Sequence, residues 1–445
     1  MDDRGALFDL TVIEIGTEIA APYAGRLLAE LGATVIKAEP PGGDPGRWLG
    51  PFPGDRPDHA PGPLFRHLNA GKHLLTLDLE DPTGRRELDR LLDASDILID
   101  NRPPAETRRL GLDHASLAQP HPHLITAYIT IFGQTGPYAD YAAHDLTACA
   151  ASGVCAGIGI PGRPPLTMPF QQGQYQGGLA AASGALAAWL ARERIGRGQL
   201  VDIAISEVWS DFFGGMHAPE MIFRGVLGLQ MGWRSGLGRY PQTILPCQDG
   251  YVSLSAPQKA QWLRFVDLIG RPAWTENPRY RDRRAMGQEY PDEVDALLAG
   301  WLTQHTKEEI FTICRERRIP FAPVRTVDDL VVDPQLAHRG FFAPLDLGDG
   351  RVVKVPTGPY AFSETPVRRS EFRGPGSEFR VPSSGAVGAV GAEGASSGRG
   401  AHGDEVRPHP TPLPGGEGID SCLDDSRLGP RHPAPETRNS ELGTR

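Results

Sequence analysis

Short apolar segments alternate with helical patterns through residues 1–205. The predicted strands are Val12–Ile15, Thr34–Lys37, Leu74–Leu79, Ile97–Ile99, Leu124–Ile131 and Leu200–Ile205. Predicted helices lie between strands, including Ala21–Leu31, which ends at Gly32, and Pro82–Leu92, for which Asp81 is the expected N-cap. Strands this short and apolar, separated by helices, are typical of a parallel sheet that is buried on both faces. We therefore predict an α/β fold in which residues 1–205 form most of a large domain.

The rest of the chain divides into three predicted segments. Residues 206–325 combine a helical stretch with a strand at Tyr251–Leu254 and further helices, which indicates a linker helix and a smaller central α/β domain. Residues 326–373 contain two more strand-like runs. Residues 374–445 are rich in Gly, Ser, Pro and scattered charge, and they have too little apolar area to offset the entropy cost of ordering. This tail is predicted to be disordered.

The disordered-tail prediction has a direct test. Ending the chain after Gly374 is expected to leave the melting temperature and the oligomeric state unchanged, because a tail without a core contributes no folding free energy. Differential scanning calorimetry and sedimentation of the two proteins check this. A truncated chain that fails to fold would refute the prediction.

Composition and charge exclude several classes of partner. The chain has 445 residues, a net charge of −10 and 22% charged residues, so we expect neither nucleic-acid binding nor attraction to an anionic membrane. The acidic N-terminus is unlike a signal peptide, and no apolar run is long enough to span a bilayer. The five cysteines match no metal motif. We predict a cytoplasmic protein with reduced thiols, no metal and no permanently bound cofactor.

A set of basic residues is predicted near the carboxyl ends of the strands, where ligands bind in α/β proteins. The set is Lys37, Arg47, Arg66, Lys72 and Arg109. Each of these residues alone is equally consistent with a solvated surface charge. Together they indicate a site for phosphate groups, such as those of an anionic cofactor.

Two other motifs each have two interpretations. Gly157–Gly162 fits the GxGxxG pattern of dinucleotide-binding proteins, but a helix is predicted before it, and Pro161, Pro164 and Pro165 prevent a helix from following, so a loop is favoured. His144 and Asp145 precede a predicted helix that begins at Leu146. Asp145 is then either a simple N-cap beside a bystander histidine, or part of a cleft in which His144 acts as acid or base.

Several blocks of sequence resemble the family III coenzyme A transferases, a family that includes α-methylacyl-CoA racemase and carnitine and formyl-CoA transferases. The first block is Pro22–Arg47, with LLAELGATVIKAEPPGGDP inside it. Later blocks, in order, are Gly71-Lys72, LDL at Leu77–Leu79, DILIDN at Asp96–Asn101, FGQTGPY at Phe132–Tyr138, His144–Leu146 and RERIGRGQ at Arg192–Gln199. The resemblance extends over residues 8–365.

This resemblance implies a Rossmann-like large domain built from both ends of the chain, and an interlocked homodimer. It also implies coenzyme A or an acyl-CoA as a substrate, a carboxylic acid as the second substrate, and CoA transfer as the activity. Carried over by position, the implied CoA contacts are Ile19, Pro40, Lys72, Leu77, Asn101, Arg109, Ala142, Ala143, His144 and Asp145. Ile19 and Pro40 lack the polar side chains of some transferases, and this difference weakens the contacts expected there.

Gln174 stands where the family has its nucleophilic aspartate. That carboxylate attacks the thioester and carries CoA as an enzyme thioester, which is covalent catalysis by an ionised side chain. A glutamine amide is uncharged and does not perform this step. No Asp or Glu occurs between Leu146 and Arg192, so a shift in the alignment does not supply the missing acid from that stretch.

The absence of the aspartate leaves several functions open. The chain is a CoA transferase, as the resemblance implies, an isomerase or racemase-like enzyme that uses His144, or an acyl-CoA-binding paralogue without catalysis, which could pair with a related subunit. In the simplest interpretation Gln174 merely caps the helix that follows it. Whether the protein is an enzyme is therefore not decided by its sequence.

Overall fold

Six parallel strands form the central sheet, as the alternating pattern predicts. The computed structural model describes residues 5–57, 61–159, 163–212, 240–347 and 350–367. The strands are Thr11–Glu14 (β1), Thr34–Glu39 (β2), His73–Thr76 (β3), Ile97–Asp100 (β4), Ile125–Thr130 (β5) and Leu200–Ala204 (β6). Their order is β3-β2-β1-β4-β5-β6, so the direction of strand addition reverses between β1 and β4. This reversal opens a crevice at the carboxyl ends of β1 and β4.

Helices cover both faces of this sheet, which confirms that its strands are buried. The helices before and after the strands are Ala20–Glu30 (α1), Pro63–Leu68 (α2), Pro82–Asp93 (α3), Pro104–Arg109 (α4), His114–Leu117 (α5), Asp145–Ala151 (α6), Val154–Gly157 (α7), Gln172–Ile195 (α8) and residues 205–212 (α9). Asp81 caps α3 as predicted, since its carboxylate accepts the N–H of Thr83 at 2.7 Å. One apolar core includes α1 and α8, and a second includes α3 on the opposite face.

Helix α8 lies unusually close to its neighbours. A Cβ placed on Gly178 would come 2.5 Å from the carbonyl oxygen of Ala20, and one on Gly177 would come 2.8 Å from the side chain of Ile205. Only glycine permits this approach to α1 and α9. The Gly- and Ala-rich run Gly177–Arg194 predicts a helix from the sequence, and the helix observed begins five residues earlier, at Gln172.

A smaller antiparallel sheet and its helices form a separate apolar core between residues 240 and 321. Its strands are Gln242–Cys247 (β7), Gly250–Ser255 (β8) and Phe321–Pro323 (β9), paired in that order. The helices that follow α9 are Lys259–Leu268 (α10), Arg283–Gln288 (α11), Pro291–Leu302 (α12), Lys307–Glu316 (α13), Val327–Val331 (α14) and Pro334–His338 (α15). Most of the predicted linker helix, from residue 213 onward, lies outside the described residues.

The late part of the chain returns to helix α1. Strands Phe342–Asp346 (β10) and Val352–Pro356 (β11) form an antiparallel pair. The carbonyl oxygen of Pro356 accepts a hydrogen bond from Arg26 of α1 at 2.9 Å, and Arg26 also binds Glu30 at 2.7 Å. This contact joins residues near both ends of the described chain.

His67 makes the fold sensitive to acid. Burial, together with the adjacent Arg26 guanidinium, lowers the pKa of His67 from 6.5 to about 3. As the pH falls below 6.5 the unfolded chain binds a proton that the folded chain does not, so stability is lost. We expect a loss on the order of 2 kcal/mol between pH 7 and pH 5 from this group.

Urea unfolding of the wild type and of His67→Gln tests this loss. Glutamine still offers an oxygen to Arg26 but does not titrate, so the variant should lose less stability over the same pH interval. Burial also raises the pKa of Glu30, but its contribution to the pH dependence of stability is the same in both proteins and cancels when they are compared. Equal pH slopes in the two proteins would contradict the expectation.

Among the described residues, no helix is both long and apolar enough to cross a membrane. No cluster of three or more His, Cys, Asp or Glu side chains suited to hold a metal ion occurs in these same ranges.

Candidate active site

The crevice at the strand reversal contains a cavity of about 1010 Å³. Residues that follow β1, β4 and β5 form its walls, including Thr17, Asn101 and Ile131. The other walls come from the loop at residues 139–144 and from the residues at the start of α8. The volume is at the upper end of the range for small-molecule and cofactor sites, about 300–1,000 Å³.

Most of the residues predicted for CoA binding and catalysis line this one cavity. They are Pro40, Leu77, Asn101, Ala142, Ala143, His144, Asp145 and Gln174. These positions come from widely separated parts of the sequence, and the structure brings them together around a single space. Three predicted positions, Ile19, Lys72 and Arg109, are not among the lining residues.

These three positions have other surroundings. Ile19 is 3% exposed and directly precedes α1. Lys72 is fully buried. Arg109 lies at the surface, where its guanidinium binds the carboxylate of Glu80 at 2.7 Å, and Glu80 does line the cavity. Arg109 is therefore at the rim, within reach of a ligand that extends out of the cavity.

Asn101 joins two of the loops that form the crevice. Its Oδ1 accepts the N–H of Thr17 at 2.7 Å, and its Nδ2 donates to the carbonyl oxygen of Thr17 at 2.9 Å. A Cβ on Gly16 would come 2.6 Å from Asn101 Oδ1, so glycine is required there. The paired bonds hold the residues after β1 against those after β4.

A buried cluster of charges anchors the loops after β1 and β2. Glu14 binds Lys37 at 2.9 Å and Lys72 at 2.6 Å, and all three side chains are 0% exposed. Lys37 also donates to the carbonyl oxygen of Gly16 at 2.8 Å and binds Asp44 at 2.8 Å. The Asp44 carboxylate in turn accepts hydrogen bonds from two backbone N–H groups at the crevice, that of Glu18 at 2.9 Å and that of Gly46 at 2.7 Å.

This cluster differs from the expectation that the basic residues face a phosphate. The ammonium groups of Lys37 and Lys72 are enclosed in the core, because each is the counter-ion of a buried carboxylate. Arg47 binds Glu39 at 2.6 Å, and Arg66 donates to the carbonyl oxygen of Pro61 at 3.2 Å. Arg102 lines the cavity, but its guanidinium binds the buried carboxylate of Asp100 at 2.9 Å. Arg108 and Arg109 do not line the cavity, but they bind Asp140 and Glu80 of its wall at 2.6 and 2.7 Å.

The carboxylate of Asp145 lies at the N-terminus of α8, beside Gln174. Asp145 Oδ1 accepts the backbone N–H of Gln174 at 3.0 Å. A Cβ on Gly173 would come 2.5 Å from the same oxygen, so this approach requires a glycine. Burial raises the pKa of Asp145, and the backbone N–H groups of Gln174 and Gly173 oppose that shift. Helix α6 begins at Asp145, so this residue is not the cap of α6 that the sequence pattern predicts.

The sequence indicates Asp145 as a contact for CoA but not as an acid beside Gln174, because the two residues are far apart in the chain. Asp145 lies 29 positions before Gln174, and no local pattern reports that contact. The resemblance at His144-Asp145 was the one available signal that the segment belongs to a site.

The turn that leads into α8 has an uncommon backbone conformation. Phe170 and Gln171 have φ angles of 60° and 52°, in the left-handed region that non-glycine residues rarely occupy. Such residues occur where surrounding structure holds them, often at functional sites. Here the turn places Met168, Gln171 and Gln174 on the wall of the cavity.

The remaining motifs have simpler roles. A dinucleotide-binding GxGxxG motif follows a strand, whereas Gly157 ends the short helix α7. Residues 160–162 of the motif lie outside the described residues. Cys149 and Cys155 are free, as predicted, with their sulfur atoms 3.4 Å apart. His144 is exposed on the cavity wall.

The strand order and the crevice at its reversal define an α/β protein of the class that binds nucleotides and related cofactors. The chain belongs to CoA-transferase family III, whose family model matches residues 7–377. This match confirms the family that the sequence motifs resemble.

Known proteins of the family are similar over most of the chain. Succinate–glutarate CoA-transferase of Agrobacterium fabrum is 30% identical over 365 residues, which cover 81% of this chain and 90% of that protein. Succinyl-CoA–D-citramalate CoA-transferase of Chloroflexus aurantiacus is 33% identical over 356 residues, covering 78% and 86%. The crystal structure of a CAIB/BAIF family protein from Brucella suis matches with a TM-score of 0.75 and 27% identity, covering 84% of this chain and 97% of that one.

Proposed function

We propose that the protein binds an acyl-CoA thioester in the cavity and transfers its CoA to a carboxylic acid. The observation that carries this proposal is the convergence of Asn101, Ala142–Asp145 and Gln174 on one cavity. These are positions at which the family resemblance expects CoA and the reacting carboxylate. The volume of the cavity also suits a ligand of cofactor size.

The rim and the interior of the cavity suit different parts of the ligand. We assign the phosphate groups of CoA to the rim, where Arg108 and Arg109 are paired only with surface carboxylates. A phosphate oxygen can replace such a carboxylate, because exposed ion pairs are weak. We assign the thioester to the inner end, between His144, Asp145 and Gln174.

Substitution of Arg109 tests this assignment. Arg109→Ala is expected to raise the KM for the acyl-CoA about tenfold with little change in kcat, because a charge-assisted hydrogen bond of about 1.5 kcal/mol is lost equally in the ground and transition states. Steady-state kinetics measure both constants. Arg90→Ala removes an exposed arginine on α3 and is the matched control. An unchanged KM in Arg109→Ala would place the phosphates elsewhere.

The acyl donor and acceptor are tested by a product assay. Relatives named as succinyl-CoA transferases make succinyl-CoA the first donor to use. The protein is mixed with succinyl-CoA and a panel of mono- and dicarboxylic acids, and new CoA thioesters are detected by mass spectrometry. We expect at least one acid to be converted to its thioester with release of succinate. No new thioester from any acid, under conditions in which succinyl-CoA raises the melting temperature, would contradict transfer and favour binding alone.

Isomerase chemistry is a second candidate because His144 lines the same cavity. A histidine there could remove the proton on the carbon next to the thioester carbonyl. Incubation of a 2-methylacyl-CoA in D₂O distinguishes the two activities, because an isomerase incorporates deuterium at that carbon and a transferase does not.

We also propose that the protein works as a homodimer. The family resemblance implies this assembly, and exposed apolar side chains on α8, including Leu190 and Ile195, are consistent with a partner surface. Relatives with alpha and beta subunits show that a paralogous partner is the alternative. Sedimentation of the purified chain alone distinguishes the two, since a protein that needs a paralogue should not form a dimer by itself.

A further inference from the structure

A carboxylate remains in this site although Gln174 occupies the family's position for it. Asp145 lines the cavity, is half-buried, and lies in direct contact with the backbone of residue 174. We propose that Asp145 is the nucleophile that carries CoA in this protein. This inference rests on the proposed transferase function and names the residue that performs it.

The other acids on the cavity wall are less suited to this role. Asp140 and Glu80 are exposed and bind Arg108 and Arg109 at the rim. Glu18 and Asp78 are also exposed, and Asp78 Oδ1 accepts the N–H of Glu80 at 3.0 Å. Glu106 is half-buried, but it lies in the first turn of α4, where its charge acts on Arg102. Asp145 is instead half-buried and accepts a backbone N–H at the start of α8, where the family resemblance places the reacting group.

The contact with α8 gives Asp145 an oxyanion site of its own. Asp145 Oδ1 already accepts the N–H of Gln174, at the positive end of a 24-residue helix. When a thiolate attacks the carboxyl carbon of Asp145, negative charge collects on this same oxygen, and the N–H is in position to hold it. The other oxygen, Oδ2, is then the atom that attacks the substrate.

The reaction balances without another reagent. Asp145 Oδ2 attacks the thioester carbonyl carbon of the donor; a C–O bond forms, the C–S bond breaks, and the electron pair leaves on the CoA thiolate. The thiolate then attacks the Asp145 carbonyl carbon of the mixed anhydride and expels the donor acid as its carboxylate, which leaves Asp145 as a CoA thioester. The acceptor carboxylate reverses these two steps, forming its own anhydride and then its CoA thioester, and the Asp145 carboxylate is regenerated.

Gln174 is compatible with this role, because a neutral amide does not compete with Asp145 as the nucleophile. Two carboxylates in contact would raise the pKa of one of them, whereas an amide leaves Asp145 to ionise alone. The side-chain N–H of Gln174 is also free of charge repulsion with the thioester oxygen, to which it can donate a hydrogen bond.

Trapping the intermediate identifies the nucleophile. The full-length protein is incubated with succinyl-CoA and treated with hydroxylamine, which converts an activated side-chain carboxyl group to a hydroxamate; peptide mapping then locates it. We expect the hydroxamate on Asp145. A hydroxamate on any other acid, or exchange activity with none on Asp145, would overturn the inference while leaving CoA transfer intact.

Variants give an independent readout. Asp145→Asn keeps an oxygen for the N–H of Gln174 but is not a nucleophile, so exchange of labelled succinate into succinyl-CoA should fall at least about a thousandfold. Asp113→Asn, which alters another helix-capping aspartate away from the cavity, is the matched control and should keep full activity. Adding Gln174→Asp to Asp145→Asn should restore exchange and move the hydroxamate to position 174.

The outcomes separate the two claims. Asp145→Asn with activity within tenfold of the wild type would refute the role of Asp145 but not the transferase function. A wild type that binds succinyl-CoA yet shows neither exchange nor hydroxamate would refute both. If Asp145→Asn does not fold, the mapping on the wild type still decides the question.

Discussion

Replacing Gln174 by Asp is expected to raise the rate of CoA exchange about tenfold or more at pH 8, which corresponds to about 1.4 kcal/mol of barrier. The reason is that the position to which the resemblance assigns the nucleophile, at the start of α8 and on the cavity wall, then carries a second carboxylate besides Asp145. The new group would lie beside Asp145, and repulsion between the two charges would raise the pKa of one. The gain should therefore be smaller at pH 5 than at pH 8, because more of the pair is protonated in acid.

Gln174→Asn is the matched control for this gain. Asparagine has the size of aspartate but no charge, so it changes the space at position 174 without supplying a nucleophile. Rates of label exchange between succinate and succinyl-CoA, measured for the wild type and both variants across pH 5–8, check the prediction. Equal rates in the two variants would show that charge at this position is not what limits the reaction.

Replacing Glu14 by Gln is expected to destabilise the protein by about 3–5 kcal/mol, because it leaves the buried ammonium group of Lys72 without its carboxylate partner and leaves Lys37 with Asp44 alone. Glu14 is the shared partner of Lys37 and Lys72, and no part of the three side chains reaches solvent. We expect a fall in melting temperature of about 10 °C or more. The crevice should loosen as well, since Lys37 holds the loop that contains Gly16.

The pH dependence of this loss identifies its cause. Burial lowers the pKa of Lys72 to about 8, although Glu14 raises it in opposition. Because this value lies below the unfolded pKa of about 10.4, the unfolded chain binds more protons between these limits, and stability contributed by Lys72 rises with pH there. Removing Glu14 lowers the pKa further, so the destabilisation should be smaller at pH 9 than at pH 7.

Calorimetry of three proteins tests this account of Glu14. Glu87→Gln removes a carboxylate from the exposed pair with Arg90 and should change the melting temperature little. Adding Lys72→Met to Glu14→Gln removes one uncompensated charge and should recover part of the loss. A drop in Glu14→Gln no larger than that in Glu87→Gln would contradict the account.

The sheet was predictable from the sequence because its signal is local. Runs such as Ile97–Ile99 are apolar throughout, and the helices between the strands carry their own caps, such as Asp81. The start of α8 was predicted five residues late, since the Gly- and Gln-rich segment before Gly177 has no apolar periodicity. Its first N–H groups are instead stabilised by Asp145, a tertiary partner.

The site was predictable only in part, for the same reason. Motif positions such as Asn101, His144 and Gln174 do converge on the cavity. Lys37 and Lys72 appear in the sequence as cations near strand ends, and only the packing of Glu14 against both shows that they belong to the core. The positive charge of a lysine in the sequence does not distinguish a residue that binds phosphate from one that is the counter-ion of a buried carboxylate.

The most direct test of CoA transfer is isotope exchange between a CoA thioester and its own acid. Wild-type protein is incubated with unlabelled succinyl-CoA and ¹³C-labelled succinate, and the label in the thioester is followed by mass spectrometry; no knowledge of the natural acceptor is needed. The account predicts that label enters succinyl-CoA without net consumption of either compound, because an enzyme–CoA thioester returns CoA to any succinate in the site. Succinyl-CoA that binds, as shown by a raised melting temperature, but remains unlabelled over many hours would contradict it.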